Sequence, residues 1–306
     1  MINKDNPIHD LGTPFFLFHE PVLKNELQVL ATTCEQYWDN YSIGYSVKTN
    51  SLPPLLNYFR NSGITAEVVS EDEYDLALRV GFDPQRIICN GPVKERSWIF
   101  RLLRLKSKLN IDSKRELLYV SEYARINEEV IEVGVRVNLD LESVFPGESD
   151  YGISGSRFGF SAENGEFADA VEVLRKNPNI RLSGLHFHFN TNTRSVQLYK
   201  YIAEKFNEIA FRHNLTDLKY LDIGGGFFGG IANKPGWSDY LRAISSGLRS
   251  TRFNPSNLTL ILEPGVSLIA GSFSYFTKVV DVKKTAKQTF VVLNGSRIHI
   301  DPLMHK

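Results

Sequence analysis

An alternation limits most strongly what this chain can fold into. Short runs rich in apolar and β-branched residues are each followed by a stretch with helical spacing, and eight strand runs can be counted. The predicted strands are Tyr41–Val47, Ile64–Val69, Arg86–Cys89, Lys108–Ile111, Glu132–Asn138, Ile180–Phe189, Leu218–Ile223 and Leu258–Glu263. Helices are expected near Pro53–Asn61, after Ser70, near Lys94–Leu105, and over Lys114–Ile126, Phe167–Lys176, Ser195–His213 and Asp239–Leu248. The last strand is followed only by a short apolar segment. Ser70 with Glu73 reads as a capping box, and Ser113 as an N-cap. Eight strand–helix pairs are the number that closes a (β/α)8 barrel. An open doubly wound sheet needs no fixed count and more often shows GxGxxG after its first strand, which does not occur here. The expected fold class is therefore α/β, a TIM barrel over residues 19–272.

The two ends read differently. Phe15–Phe18 is a short apolar strand, and Val22–Trp38 has helical spacing after Pro21. Beyond Gly271, the stretches Phe273–Val282, Thr289–Leu293 and Arg297–Ile300 read as strands, with Asn294-Gly295 as a hairpin turn. Residues 1–18 and 273–306 are expected to form a partial β domain, with Phe15–Phe18 pairing into it. So small a sheet leaves unpaired edges and looks unfinished.

Composition excludes several functions. Lys+Arg and Asp+Glu both number 35, so formal net charge is zero and no basic excess favours nucleic acid or an anionic membrane. Cys34 and Cys89 provide neither a disulfide framework nor a zinc ribbon and suit a reducing compartment. No signal-peptide core opens the chain, and no apolar run approaches the roughly 18 residues needed to cross a bilayer. A cytoplasmic protein is expected.

In such a barrel the chemistry lies where strands end. Those ends carry Lys48 and Asn50, Glu67, Asp112, Arg136 and Asn138, His186 and His188, Asp222 with Gly224, Gly225 and Gly226, and Glu263. Lys48 by itself reads as a rim lysine paired to a carboxylate. A partly desolvated ammonium at a strand end can instead act as an amine nucleophile that forms Schiff bases, and the polar company of the other ends favours that reading. The three glycines can bring backbone N–H groups close to an anion, or simply make a sharp turn. His186 and His188 share a strand face and could bind metal with a carboxylate, stack on a flat cofactor, or pack as hydrogen-bonded core. The long connection Leu139–Phe160 is a candidate lid.

Together these residues resemble the fold-type III pyridoxal-phosphate decarboxylases, the family of diaminopimelate, ornithine and arginine decarboxylases, from about Thr13 onward. Tyr45-Ser-Val-Lys48-Thr-Asn50 resembles the Schiff-base lysine motif. Glu67-Val-Val-Ser70, Asn110-Ile-Asp-Ser113, Arg136-Val-Asn138 and Ser156-Arg-Phe-Gly159 follow in the family's order. Gly184-Leu-His-Phe-His188, Asp222-Ile-Gly-Gly-Gly226 and Glu263-Pro-Gly265 complete the series. The resemblance implies pyridoxal 5'-phosphate as cofactor, held as a Schiff base by Lys48. His188 would stack on its ring, Glu263 would pair with the ring nitrogen, and Gly224–Gly226 with Thr191 would hold the phosphate. Asn50, Glu67 and Arg136 are the further cofactor-binding candidates, and the catalytic set is Lys48, His188 and Glu263, with no metal.

The departures are specific. Asn190-Thr191 replace the family's Gly-Ser, and Val266 replaces the arginine after Glu-Pro-Gly. The later Cys-x-x-x-Asp segment, which completes a neighbouring subunit's site in the family, is absent, as is the C-terminal tyrosine. The reading is a decarboxylase of an amino acid or an amino-acid-derived substrate, diaminopimelate decarboxylase-like. It is expected to work as a homodimer or paired with a chain that supplies the missing region. The alternatives are an amino-acid racemase, a silent regulatory or partner relative and, last, a metal hydrolase.

Overall fold

The computed structural model describes residues 11–249 and 256–300. Two compact units result: one spans Gln28–Ser267, and the other is made by the described residues on either side of it. This division falls nine residues inside the expected barrel start and five before its expected end. The outermost parts of the predicted β domain, 1–10 and 301–306, lie outside the described residues.

The elements in chain order are β1 (Phe15–Phe18), α1 (Glu20–Tyr37), β2 (Tyr41–Ser46), α2 (Pro53–Asn61), β3 (Thr65–Val68), α3 (Glu71–Val80) and β4 (Ile87–Cys89). There follow α4 (Arg96–Arg104), β5 (Lys108–Ile111), α5 (Lys114–Asn127), β6 (Ile131–Asn138), β7 (Phe160–Ser161) and α6 (Glu166–Arg175). Next come β8 (Ile180–His186), α7 (Val196–Arg212), β9 (Tyr220–Asp222), α8 (Trp237–Leu248), β10 (Thr259–Leu262) and α9 (Val266–Ile269). The chain continues through β11 (Phe273–Phe276), β12 (Val279–Lys284) and β13 (Thr289–Leu293).

Eight of these strands run parallel in the order β2-β3-β4-β5-β6-β8-β9-β10, and β10 pairs back onto β2 through Leu260 and Tyr41. The barrel predicted from the alternation is closed. Its helices bury stripes at helical spacing, as α4 does with Trp98, Ile99, Leu102 and Leu103. The interior is filled rather than hollow. Tyr220 occupies the space that Gly134 and Gly184 leave open: a Cβ on either glycine would lie within 2.2 Å of the tyrosine. Ile88 and Ile261 pack with it.

Helix starts follow the expected caps with one change. The hydroxyls of Ser70 and Ser113 accept from the backbone N–H groups of Glu73 and Glu116. The Glu73 carboxylate accepts from Val69 N–H instead of Ser70 N–H, so the predicted capping box is only half formed.

In the smaller unit β1 and β11 pair antiparallel with Phe15 opposite Phe276, as expected, and the facing rings of Phe15 and Phe276 stack 5.1 Å apart. The predicted strand Phe273–Val282 is two strands. Asn294 holds the break: its side-chain oxygen accepts from Lys278 N–H, its own N–H donates to the Lys278 carbonyl, and its side-chain amide donates to Thr13. Asn294-Gly295 is therefore not the hairpin turn. The β12–β13 turn lies at Thr285–Gln288, where Thr285 N–H donates to the Gln288 carbonyl. Arg297–His299 form a single helical turn capped by Ser296, not the predicted strand.

Candidate active site

The polar strand ends meet in a cavity of about 490 Å³. Its wall includes Ser46, Lys48, Glu67, Asn90, Arg136, His186, His188, Gly225, Gly226 and Glu263, so most of the predicted set converges. Three candidates do not reach it. Asn50 lies past the strand end, where its side chain accepts from Leu52 N–H ahead of α2. Thr191 forms an isolated backbone bridge to Ser149 and is not on the wall. Gly224 lies behind His188, whose ring a Cβ there would strike at 2.6 Å.

Lys48 corrects an expectation. The strand stops at Ser46, and Val47–Thr49 turn as a short 3-10 segment that lifts the ammonium to an exposed position on the rim. Among the described residues it forms neither a hydrogen bond nor an ion pair, so the paired-rim-lysine reading fails.

Below it the floor is a connected polar network. Tyr220 Oη donates to Asn110 Oδ1 (2.7 Å), and Asn110 Nδ2 donates to Asn90 Oδ1 (2.9 Å) and to Asp222 Oδ2 (3.2 Å). Asn90 Nδ2 in turn donates to Glu263 Oε1 (2.7 Å) and Glu67 Oε1 (3.1 Å), while Ser46 Oγ donates to Glu67 Oε2 (2.7 Å). Three carboxyl groups, of Glu67, Asp222 and Glu263, thus have fixed positions, because every side-chain donor named here sits on a barrel strand or immediately after one. Sequence reading missed Asn90; its only signal was a polar residue just after the Ile-Ile-Cys strand.

Three carboxyls buried together repel one another. Burial first, then the Glu263 charge, pushes Glu67 up to about 7 despite the opposing effect of Lys48. Asp222 is raised well above the usual range by burial and Glu263, and Glu263 is itself raised by burial. His186 lies with its Nε2 3.6 Å from Glu263 Oε2, and among the described residues neither ring nitrogen has a hydrogen-bond partner. Burial and the Arg136 charge keep it neutral. His186, Asp222 and Glu263 offer atoms within 4.8 Å of one another, and burial lowers the histidine and raises both carboxyls.

This gives a pH prediction for the cofactor-free protein. At pH values well below 4.5 the Glu67 carboxyl is protonated whether the chain is folded or not. Between 4.5 and about 7 only the folded chain keeps that proton, so the Glu67 contribution lowers stability as pH rises through that window. The expected decline is on the order of 3 kcal/mol in urea unfolding. Glu67→Gln should reduce the decline, with the raised Asp222 and Glu263 carboxyls supplying what remains; identical pH profiles for both proteins would refute the assignment.

The walls are positioned as firmly. His188 lies just beyond β8 with its ring within 16° of parallel to His186. Its Nδ1 accepts from Gly225 N–H (3.1 Å), which leaves the proton of the neutral ring on Nε2. Withdrawal from water and the Arg136 charge hold its pKa well below the ordinary histidine value. Arg136 serves this wall rather than standing free: it donates to Asp112 (3.2 Å) and to the His188 carbonyl (3.0 Å). Asp112 also accepts from Gly159 N–H, tying in the Ser-Arg-Phe-Gly segment. The expected lid is strapped down: Asp150 N–H donates to the Asn190 carbonyl and Asn192 N–H to the Glu148 carbonyl, and Tyr151 and Phe158 line the cavity.

The residues fit pyridoxal 5'-phosphate on features of the cavity itself. Gly225 lies so close to the Glu263 carbonyl that a Cβ would sit 2.4 Å from it, which leaves a flat, side-chain-free shelf. The amides of Gly226 and Phe227 donate to no protein acceptor among the described residues. Among the described residues Glu263 is a buried carboxyl without a cationic ion-pair partner, as a ring N–H would require, and Lys48 is an unpaired amine at the mouth. What the rim offers is a seat for a flat, phosphorylated ring that carries an aldehyde.

Comparison with known proteins agrees. Residues 25–270 match the family described as pyridoxal-dependent decarboxylase, pyridoxal binding domain, and the chain belongs to that family. It is 30% identical over 295 residues to a probable chloroplastic diaminopimelate decarboxylase of Oryza sativa, covering 93% of this chain and 58% of that protein. It is 26% identical to diaminopimelate decarboxylase of Bacteroides thetaiotaomicron, covering 93% and 74%. Among solved structures, diaminopimelate decarboxylase from M. jannaschii superposes with a TM-score of 0.86 at 21% identity, covering 97% of this chain and 71% of that one. The Helicobacter pylori enzyme complexed with L-lysine gives 0.79 at 24%, covering 96% and 73%. The barrel and the added C-terminal strands are shared with these structures. Among the described residues no helix is long and apolar enough to cross a membrane.

Proposed function

We propose that the chain is a pyridoxal-phosphate-dependent carboxy-lyase that removes the α-carboxylate of an amino acid, with diaminopimelate as the substrate favoured by its relatives. The observation that carries this reading is the buried Glu263, held by Asn90 at the floor of a cavity whose mouth bears the unpaired amine of Lys48. Bound cofactor supplies an electron sink for the pair of electrons left when CO2 departs. The protein's part is to seat and polarise it. Glu263 holds a proton at the ring nitrogen. His188, neutral and fixed by Gly225 N–H and Arg136, presents the face of its imidazole. Lys48 Nζ would hold the cofactor through its aldehyde and would carry a proton at the reacting carbon. Tyr151 and Phe158 restrict water at the mouth.

The partner in this reading is a second copy of the chain or a related chain. The β12–β13 hairpin supports association: Val280, Val291 and Phe290 are 57%, 57% and 46% exposed. Incubation with pyridoxal phosphate and diaminopimelate should release CO2 and lysine. Stereochemical inversion with the carboxylate retained would overturn the reading in favour of a racemase. Cofactor binding without any turnover would favour a silent partner.

A further inference from the structure

The departures in the sequence leave the phosphate short of charge. Where the family motif places arginine, Val266 stands on the cavity wall, 53% exposed. A valine side chain offers no hydrogen bond and no charge to a group carrying about −1.5 to −2. The glycine shelf supplies N–H groups but no full positive charge. Arg136 is committed to Asp112 and the His188 carbonyl, and Thr191 is off the wall.

Another guanidinium lines the same corner. Arg194 lies between β8 and α7, half-buried, on the wall with Gly225, Gly226, Phe227 and Val266. Its Nη1 donates to the Phe227 carbonyl (3.1 Å), which places the charge beside the Phe227–Phe228 peptide, just past the glycine shelf. The planar group lies over the Phe228 ring, 5.0 Å from its centre. Its backbone carbonyl accepts from Tyr240 Oη (2.8 Å), so the segment that carries it is anchored to α8. No carboxylate pairs it among the described residues. One of its five N–H donors is used, and the rest are available to a planar, bidentate acceptor.

We propose that Arg194 is a cofactor-binding residue of this chain: it takes over phosphate neutralisation from the arginine that Val266 replaces. The assignment rests on the pyridoxal-phosphate reading and extends it to a loop outside the family's motifs. It implies that the cation has moved from the loop after β10 to the loop after β8, across the glycine shelf that follows β9, while the phosphate stays on that shelf.

The test compares two ligands, pyridoxal phosphate and pyridoxal, by absorbance titration of the full chain. Arg194→Met should weaken pyridoxal phosphate about 10- to 100-fold, the range for one charge-assisted hydrogen-bonded contact, and leave pyridoxal within about twofold. Adding Val266→Arg to that variant should restore most of the loss, which a folding defect would not allow. Lys234→Met, a cation over the same Phe228 ring but off the cavity wall, should change neither affinity. Equal weakening of both ligands without rescue, or no change for either, overturns the role of Arg194 while the cofactor reading stands. Wild-type protein that binds neither ligand overturns the cofactor reading, and this assignment with it.

Discussion

Replacing Lys48 with alanine is expected to leave the fold intact and abolish covalent capture of the cofactor. The side chain is exposed, sits on the short 3-10 turn after β2, and makes no hydrogen bond or ion pair among the described residues. Its removal should therefore change unfolding free energy by no more than about 0.5 kcal/mol. Chemistry is a different matter. Without the amine, the aldehyde has no protein nucleophile, and proton delivery at the reacting carbon is lost; turnover should fall by at least about 10³-fold, roughly 4 kcal/mol in barrier height. The direct check is borohydride reduction followed by peptide mass mapping. Wild-type protein should carry a pyridoxyl group on Lys48, and Lys48→Ala should carry none. Lys94 cannot stand in, because its ammonium is buried, 3.0 Å from Glu116 and hydrogen-bonded to the Gly91 carbonyl. An adduct that survives in the alanine variant would remove Lys48 from the centre of the mechanism.

The barrel was legible because its signal is distributed over most of the chain. Each strand run and helix repeats the same alternation, and β5, β13 and α2 have the predicted bounds without change. The site was legible where function coincides with strand ends: Glu67, Arg136, His188, Gly225, Gly226 and Glu263 all reach one cavity. It was illegible where two or three residues of turn decide direction. Lys48 was expected to be half-buried, yet one helical turn after Ser46 exposes it. Asn50 and Thr191 carry plausible side chains, but local bonds to Leu52 N–H and a backbone bridge to Ser149 take them elsewhere. Arg194 shows the opposite failure. It lies in a loop at φ 53°, with no periodicity to mark it, and only the valine at position 266 hinted that a cation must be found somewhere else. Asn294 likewise reads as a turn residue in sequence, while its side chain is used to tie Lys278 to Thr13.

Glu263→Gln separates what the carboxylate does for catalysis from what it costs the fold. Glutamine has the same shape and can still accept from Asn90 Nδ2, so the network that runs from Tyr220 through Asn110 should persist. It cannot balance a positive ring nitrogen, so the cofactor should bind and attach to Lys48 while turnover falls about 10²- to 10³-fold. Stability should move the other way. Glu67, Asp222 and Glu263 are all raised by burial, and the Glu263 charge raises the first two further. At pH 8 the cofactor-free wild type must either bury these charges or hold protons against solvent; removing one member eases both. The variant should be more stable than wild type there by about 1–2 kcal/mol. At pH 4, where carboxyls are protonated in the unfolded chain as well, the difference should vanish, because raised carboxyls destabilise only as pH climbs above their ordinary range. A variant that is less stable at pH 8 would mean that Glu263 is compensated in the empty cavity. Its carboxylate would then be a structural partner rather than a charge held in reserve for the ring nitrogen.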